Sequence, residues 1–304
     1  MWKVNTLMLL VLMIFPAKAL IVVTIPDFKP IVQDIVGDKD EVISLTASGD
    51  PHSFSLSGKD IETLRNAKLI VLANSELFGF ERKIAEDFDN ILDFKDYGVE
   101  LRDFPGYPKN PHGYWMDPEN AISIAKAVKD RLSEIYPQHS DYFDENYANF
   151  VKRVKNAEKE AKKLVKSGKY VAMIPGVCYI ASSLNIEITQ ILLSEGSGFL
   201  SGKELEEVKE KLKKGEIEGI LAPEFMKGSK VGEIAEMLAK ETGCKIAWVK
   251  FASGDIAYDT QLISNAARIA YATRPCNCSD LAVYVLGTLC VLEAVLIFVI
   301  KVKG

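Results

Sequence analysis

Two rhythms of apolar and polar positions alternate along this chain. Short apolar runs rich in Ile, Val and Leu occupy residues 20–24, 42–46 and 68–73, and again 170–173, 186–192, 218–222 and 244–249. Their length and β-branched content predict buried strands. Between them, apolar residues recur at helical spacing over 30–36, 57–66 and 80–88, then over 175–183, 201–213, 229–242 and 258–272. The start and stop signals agree with these spans. Asp117 caps a helix with Pro118 in its first turn, and Ile122, Ala125, Val128 and Leu132 form one face. Ser201 and Glu204 have the spacing of a capping box, and Gly243 sits where a left-handed cap ends a helix. Strands alternating with helices predict an α/β fold with parallel sheets covered on both faces.

The stretch 141–166 breaks the rhythm. Tyr147, Phe150, Val154 and Leu164 keep helical spacing among many Lys and Glu, with no helix breaker. A helix of about 26 residues is about 39 Å long, beyond the usual length inside a compact domain. It reads either as a rod joining two lobes or as a long surface helix. The domains expected are therefore a first α/β lobe over 20–140, a connecting helix over 141–166 and a second α/β lobe over 167–272.

Both ends look like targeting segments. Residues 1–19 carry Lys3, an apolar run over 7–15 and Ala17-Lys18-Ala19, the layout of a secretory signal; the run is too short to span a bilayer. Residues 281–300 are apolar over the length of a membrane helix, with Glu293 the single charge, after a short linker over 273–280. Lys301 and Lys303 follow, which predicts a cytoplasmic tail and an extracytoplasmic body on a single-pass anchor. Glu293 is either a tolerated charge or a contact with a membrane partner.

Composition then narrows the function. The net charge of -5 and the lack of a basic stripe argue against nucleic acid as a partner. Of five cysteines, Cys276 and Cys278 lie just before the anchor, Cys290 inside it, and Cys178 and Cys244 in the second half. No C-x-x-C pair, H-E-x-x-H, G-x-S-x-G or phosphate loop occurs. Trp115 and Trp248 read as packing residues, and His139 as a solvated residue at the start of the long helix.

The chain has three histidines, and two sit in matching contexts, Pro51-His52 and Pro111-His112. Each precedes a helical pattern, in the kind of loop where α/β folds place ligands. Imidazole is the commonest ligand for divalent transition metals. Spacing alone favours two loop histidines with no shared role; the sharper reading is half of a metal site.

Longer motifs surround these histidines. Gly49-Asp50-Pro51-His52, Lys59-Asp60-Ile61, Asn66-Ala67-Lys68, Asn110-Pro111-His112 with Trp115-Met116-Asp117-Pro118-Glu119-Asn120, Tyr136-Pro137, Tyr142, Asn146, Glu241-Thr242-Gly243, Tyr258 and Asn265 together resemble the cluster A-I solute-binding proteins of ABC transporters that take up zinc or manganese. The resemblance covers most of 20–272. It implies two α/β lobes joined by a rigid helix, with Zn²⁺ or Mn²⁺ held in the cleft between them. His52 and His112 match ligands of the first lobe, and Asp255 matches a third once one extra residue before Tyr258 is allowed. The remaining ligand position of the family falls on Ile174, which cannot ligate; Cys178 and Glu224 are the substitutes at hand. The implied role is an extracytoplasmic receptor that delivers metal to the permease and ATPase of an ABC transporter, tethered as suits an archaeal-type cell without an outer membrane. Ile174 keeps open a non-metal solute receptor of the same fold, and two His plus a carboxylate keep open an extracytoplasmic metallohydrolase.

Overall fold

The computed structural model describes residues 18–47, 51–194, 198–252, 254 and 256–274. The expected signal segment as far as residue 17, the expected anchor over 281–300 with Glu293, the cysteines Cys276, Cys278 and Cys290, and the candidate ligand Asp255 lie outside the described residues. Among the described residues no helix is long and apolar enough to cross a membrane.

The first lobe comprises β1 (Leu20–Val23), α1 (Phe28–Val36), β2 (Glu41–Ser44), α2 (Gly58–Arg65), β3 (Ala67–Val71), α3 (Gly79–Asp87), β4 (Ile91–Leu92) and α4 (Pro118–Ile135). The long helix α5 (Ser140–Leu164) follows. The second lobe comprises β5 (Lys169–Ala172), α6 (Cys178–Ser183), β6 (Glu187–Ile191), the small strands β7 (Leu193–Ser194) and β8 (Gly198–Phe199), α7 (Gly202–Lys213), β9 (Gly219–Pro223), α8 (Lys230–Thr242), β10 (Lys245–Val249) and α9 (Tyr258–Ala270). The two main sheets are parallel, ordered β2-β1-β3-β4 and β6-β5-β9-β10. Each lobe thus orders its strands second, first, third, fourth. The direction of winding reverses between β1 and β3 and again between β5 and β9, which opens a crevice at the carboxyl edge of each sheet.

The caps behave as their side chains require. Ser57 with Asp60 and Ser201 with Glu204 form capping boxes, Asp117 accepts from the backbone N–H of Glu119 at 3.0 Å, and Gly243 ends α8 at φ 68°. Three features differ from the sequence reading. The helix expected over 175–183 is a 3₁₀ turn, Pro175–Val177, followed by only six residues of α6. Strand β4 and the antiparallel pair β7–β8 carry no periodic signal, because two-residue strands are too short to show one.

Helix α5 packs on α1 and α4 of the first lobe and on α9 of the second. Its buried face, Phe143, Phe150, Val154, Ala157 and Ala161, follows the helical period. Phe150 meets Tyr258 of α9 with ring centroids 6.0 Å apart. Beside them Arg153 reaches Asp34 of α1 at 2.5 Å and Asp259 of α9 at 3.3 Å. One continuous apolar cluster runs from the first sheet through α5 to Tyr170, Leu221, Val249 and Tyr258, while a second cluster fills the far face of the second sheet. The lobes therefore share a core, and the rod is part of it.

Candidate metal-binding cleft

The carboxyl edges of both sheets open into one cleft of about 670 Å³. Its walls come from segments just past strand ends: Ile25 and Pro26 after β1, Pro51 and His52 after β2, Phe78 after β3, Ile174 after β5, Phe225 after β9 and Phe251 after β10. His112 enters from the irregular segment between β4 and α4.

His52 lies in a 3₁₀ turn, Pro51–Ser53, with its ring 4.8 Å from that of Phe78. The imidazoles of His52 and His112 are 5.9 Å apart, centroid to centroid. Metal–nitrogen bonds are about 2.0–2.1 Å, so one ion between the two rings is within reach of small side-chain adjustments. The structure brings together the two histidines that spacing alone left unrelated.

Asn110, fully buried, orients the second ring. Its Nδ2 donates to the carbonyl of Pro175 at 3.0 Å, which fixes the amide so that Oδ1 faces His112. That oxygen accepts from the His112 backbone N–H at 3.0 Å and lies 3.0 Å from His112 Nδ1. An amide oxygen only accepts, so Nδ1 carries the proton and Nε2 is the ring's electron-pair donor. Such a partner is the usual means of aiming a ligating imidazole. In the sequence the signal for this task is only the place of Asn110 two residues before His112, within turn range.

The loop bearing His112 is pressed against the second lobe. Gly113 stands at φ 73°, and a Cβ there would lie 2.0 Å from the carbonyl oxygen of Gly176. Tyr179 donates to Asn110 O at 2.7 Å and accepts from Arg102 N at 2.9 Å. Asp27, buried, accepts from Trp115 Nε1 at 3.0 Å and from Ala252 N of the second lobe at 2.8 Å. Trp115 stacks on Phe251, and its carbonyl accepts from Tyr258 at 3.0 Å. Ala252 has a positive φ of 55°, an uncommon conformation for a residue with a Cβ, and the bond to Asp27 helps hold it there.

The substitute ligands are not at the cleft. Glu224 pairs with Arg268 at 2.9 Å, and Arg268 also donates to Trp248 O; the cleft wall from this turn is Phe225 and Met226. Cys178 is fully buried, and burial pushes its thiol up to about 12, so it stays protonated. A thiol binds metal as its thiolate. Neither Glu224 nor Cys178 is among the described residues that line the cleft. Ile174 does line the cleft. Asp255 lies outside the described residues, although Gly254 beside it approaches Pro26, a cleft residue, so closely that a Cβ would lie 2.1 Å from the Pro26 carbonyl oxygen. No group of three or more His, Cys, Asp or Glu that could hold a metal occurs among the described residues.

The family model "Zinc-uptake complex component A periplasmic" matches residues 21–271. The chain belongs to that family. Among its relatives, zinc-binding protein AdcA of Streptococcus pyogenes serotype M1 is 22% identical over 259 residues, covering 76% of this chain and 50% of AdcA. The manganese ABC transporter substrate-binding lipoprotein PsaA of Streptococcus pneumoniae is 29% identical over 159 residues, covering 48% of this chain and 51% of PsaA. The chain thus spans about half the length of the curated relatives it matches. The crystal structure of ZnuA aligns with a TM-score of 0.68 at 20% identity, over 84% of this chain and 99% of ZnuA. That of Streptococcus pneumoniae AdcAII aligns with a TM-score of 0.70 at 22% identity, over 84% and 99%. At this identity the family's solved structures bear on fold alone, and they share the architecture of two α/β lobes and a long helix.

Proposed function

We propose that this chain is the solute-capturing receptor of an ABC transporter that imports a divalent metal, Zn²⁺ or Mn²⁺. The observation that carries this reading is the pairing of His52 and His112 at 5.9 Å on the carboxyl edge of the first sheet, with Asn110 aiming the second ring. His52 and His112, with Asp255 as the third ligand, hold the ion. Its partners are the transporter's permease and ATPase. The membership of the zinc-uptake family and the printed roles of AdcA and PsaA support the reading. Capture and release, not bond making, is the work assigned to the site.

The receptor works outside the cytoplasm. The leader over 1–19 exports it, and the apolar run 281–300 tethers it. Tethering keeps the loaded receptor near its permease and raises its effective concentration there.

Calorimetric titration of the full-length chain in detergent tests this reading. Zinc or manganese is expected to bind at one site, and His112→Ala to weaken binding by at least tenfold. Equal affinity in the wild type and His112→Ala would remove these histidines from the site.

A further inference from the structure

We propose that Glu81 is a positioning residue for the His52–His112 pair, holding both imidazole loops most firmly when it is ionised; the proposal rests on the metal reading above. Glu81 stands in the first turn of α3 and is fully buried. Its carboxyl reaches back to the chain just past β3. Oε1 accepts from Ala73 N at 3.0 Å and Oε2 from Asn74 N at 2.6 Å. Two consecutive backbone N–H groups that turn toward one point suit a carboxylate, whose two oxygens only accept.

Each of these two residues continues to one histidine. The Asn74 carbonyl accepts from Phe78 N at 2.9 Å, and the Phe78 ring lies 4.8 Å from that of His52. The Ala73 carbonyl accepts from the Tyr114 hydroxyl at 2.5 Å, and Tyr114 stands two residues past His112. A third tie runs through Thr24, the residue after β1. Its hydroxyl bonds to Glu81 Oε1, while its carbonyl accepts from Thr46 N at 3.2 Å and from Thr46 Oγ1 at 2.9 Å. One side chain thus fastens the ends of β1 and β3, and its backbone partners brace the surroundings of both rings.

The state of the carboxyl decides how firmly. Hydrogen bonds to a carboxylate are about twice as strong as those to a neutral acid. Burial opposes the charge and pushes the carboxyl from 4.5 up to about 7. The titratable groups facing it are Asp93 after β4, whose charge raises it further, and the Tyr97 and Tyr114 hydroxyls, both kept protonated by burial. The Thr24 hydroxyl favours the ionised form. A divalent ion on the histidines acts in the same direction, since a nearby positive charge favours a carboxylate over its acid. Capture therefore draws the proton off Glu81, and by linkage the affinity rises as pH climbs through the Glu81 titration. Protonation of the histidines also opposes binding at low pH. That effect is common to the wild type and a Glu81 variant and cancels in their ratio.

Calorimetry with Zn²⁺ on the full-length chain in detergent, at pH 6.0 and 7.5, compares the wild type with Glu81→Gln. At the lower pH both side chains are neutral, and the two affinities are expected to be similar. The ratio of wild-type to variant affinity is expected to rise about fourfold at the higher pH, for a fall of about one unit in the Glu81 value on binding. Circular dichroism checks that the variant folds. Thr24→Val provides a second measurement with Glu81 intact. It removes a hydroxyl that favours the ionised carboxyl, so the rise of affinity with pH is expected to move to higher pH. A ratio equal at the two pH values, or a rise that Thr24→Val leaves in place, overturns the proposal while metal capture stands. A wild type that binds no zinc removes the metal reading and this one with it.

Discussion

Asn110 and His112 form a fixed unit across the cleft wall: the Asn110 amide donates to Pro175 in the second lobe and accepts, at 3.0 Å, beside Nδ1 of the histidine. The His112 ring of one lobe is therefore aimed by a bond to the other. Replacing Asn110 by Ala frees the ring and takes the side-chain donor from Pro175 O, which keeps the Cys178 N–H. Second-layer partners of this kind are worth about 10–100-fold in metal affinity. Asn110→Ala is expected to weaken zinc binding within that range, with the fold retained by circular dichroism. An unchanged affinity would mean that the ring needs no support from Asn110.

Ile174 lines the cleft, and the sequence resemblance implies a further ligand at its position. Ile174→His adds a nitrogen donor there and is expected to tighten binding of zinc alone by about tenfold or more, the step that one added ligand brings by converging on an existing set. Competition against a fluorescent zinc chelator measures it. No gain would show that the 3₁₀ turn beginning at Pro175 aims residue 174 away from the ion.

Gly113 and Gly176 meet where the lobes touch, and there is no room for a methyl group on Gly113. Gly113→Ala adds a clash with the Gly176 carbonyl to the cost of a positive φ, and is expected to destabilise the fold by roughly 2 kcal/mol or more. Urea denaturation provides the readout. Gly98→Ala serves as the control, since its φ is also positive but nothing lies within 4 Å of the added Cβ.

Glu81 is fully buried and accepts from Ala73 N at 3.0 Å, from Asn74 N at 2.6 Å and from the Thr24 hydroxyl. Burial outweighs these bonds and pushes its carboxyl from 4.5 up to about 7. The folded form therefore holds its proton over a window where the unfolded chain has lost it. The stability this provides is complete below pH 4.5 and declines as pH rises to about 7, by about 3 kcal/mol for the full shift. The difference in urea stability between wild type and Glu81→Gln should therefore slope across pH 4.5–7. A flat difference would show that Glu81 stays ionised in the fold.

The secondary structure was legible because its signals are local. Capping at Ser57, Asp117 and Ser201, the stop at Gly243 and the apolar period of α5 depend on neighbours within a few residues, and the structure follows them. The alternation of strands and helices determined parallel sheets for the same reason. The two-residue strands β4, β7 and β8 and the 3₁₀ turn at Pro175 escaped, since each is too short to show a period.

The site divides in the same way. The sequence alone marked His52 and His112 as loop histidines with ligand chemistry. Only the tertiary structure decided that they face each other, because both lie past strand ends and strand order sets which ends are adjacent. Likewise, Glu224 and Cys178 have the right chemistry on paper. Packing gave the first to Arg268 and buried the second as a neutral thiol. The task of Asn110 was invisible for the same physical reason: its decisive partner, the carbonyl of Pro175, belongs to the other lobe.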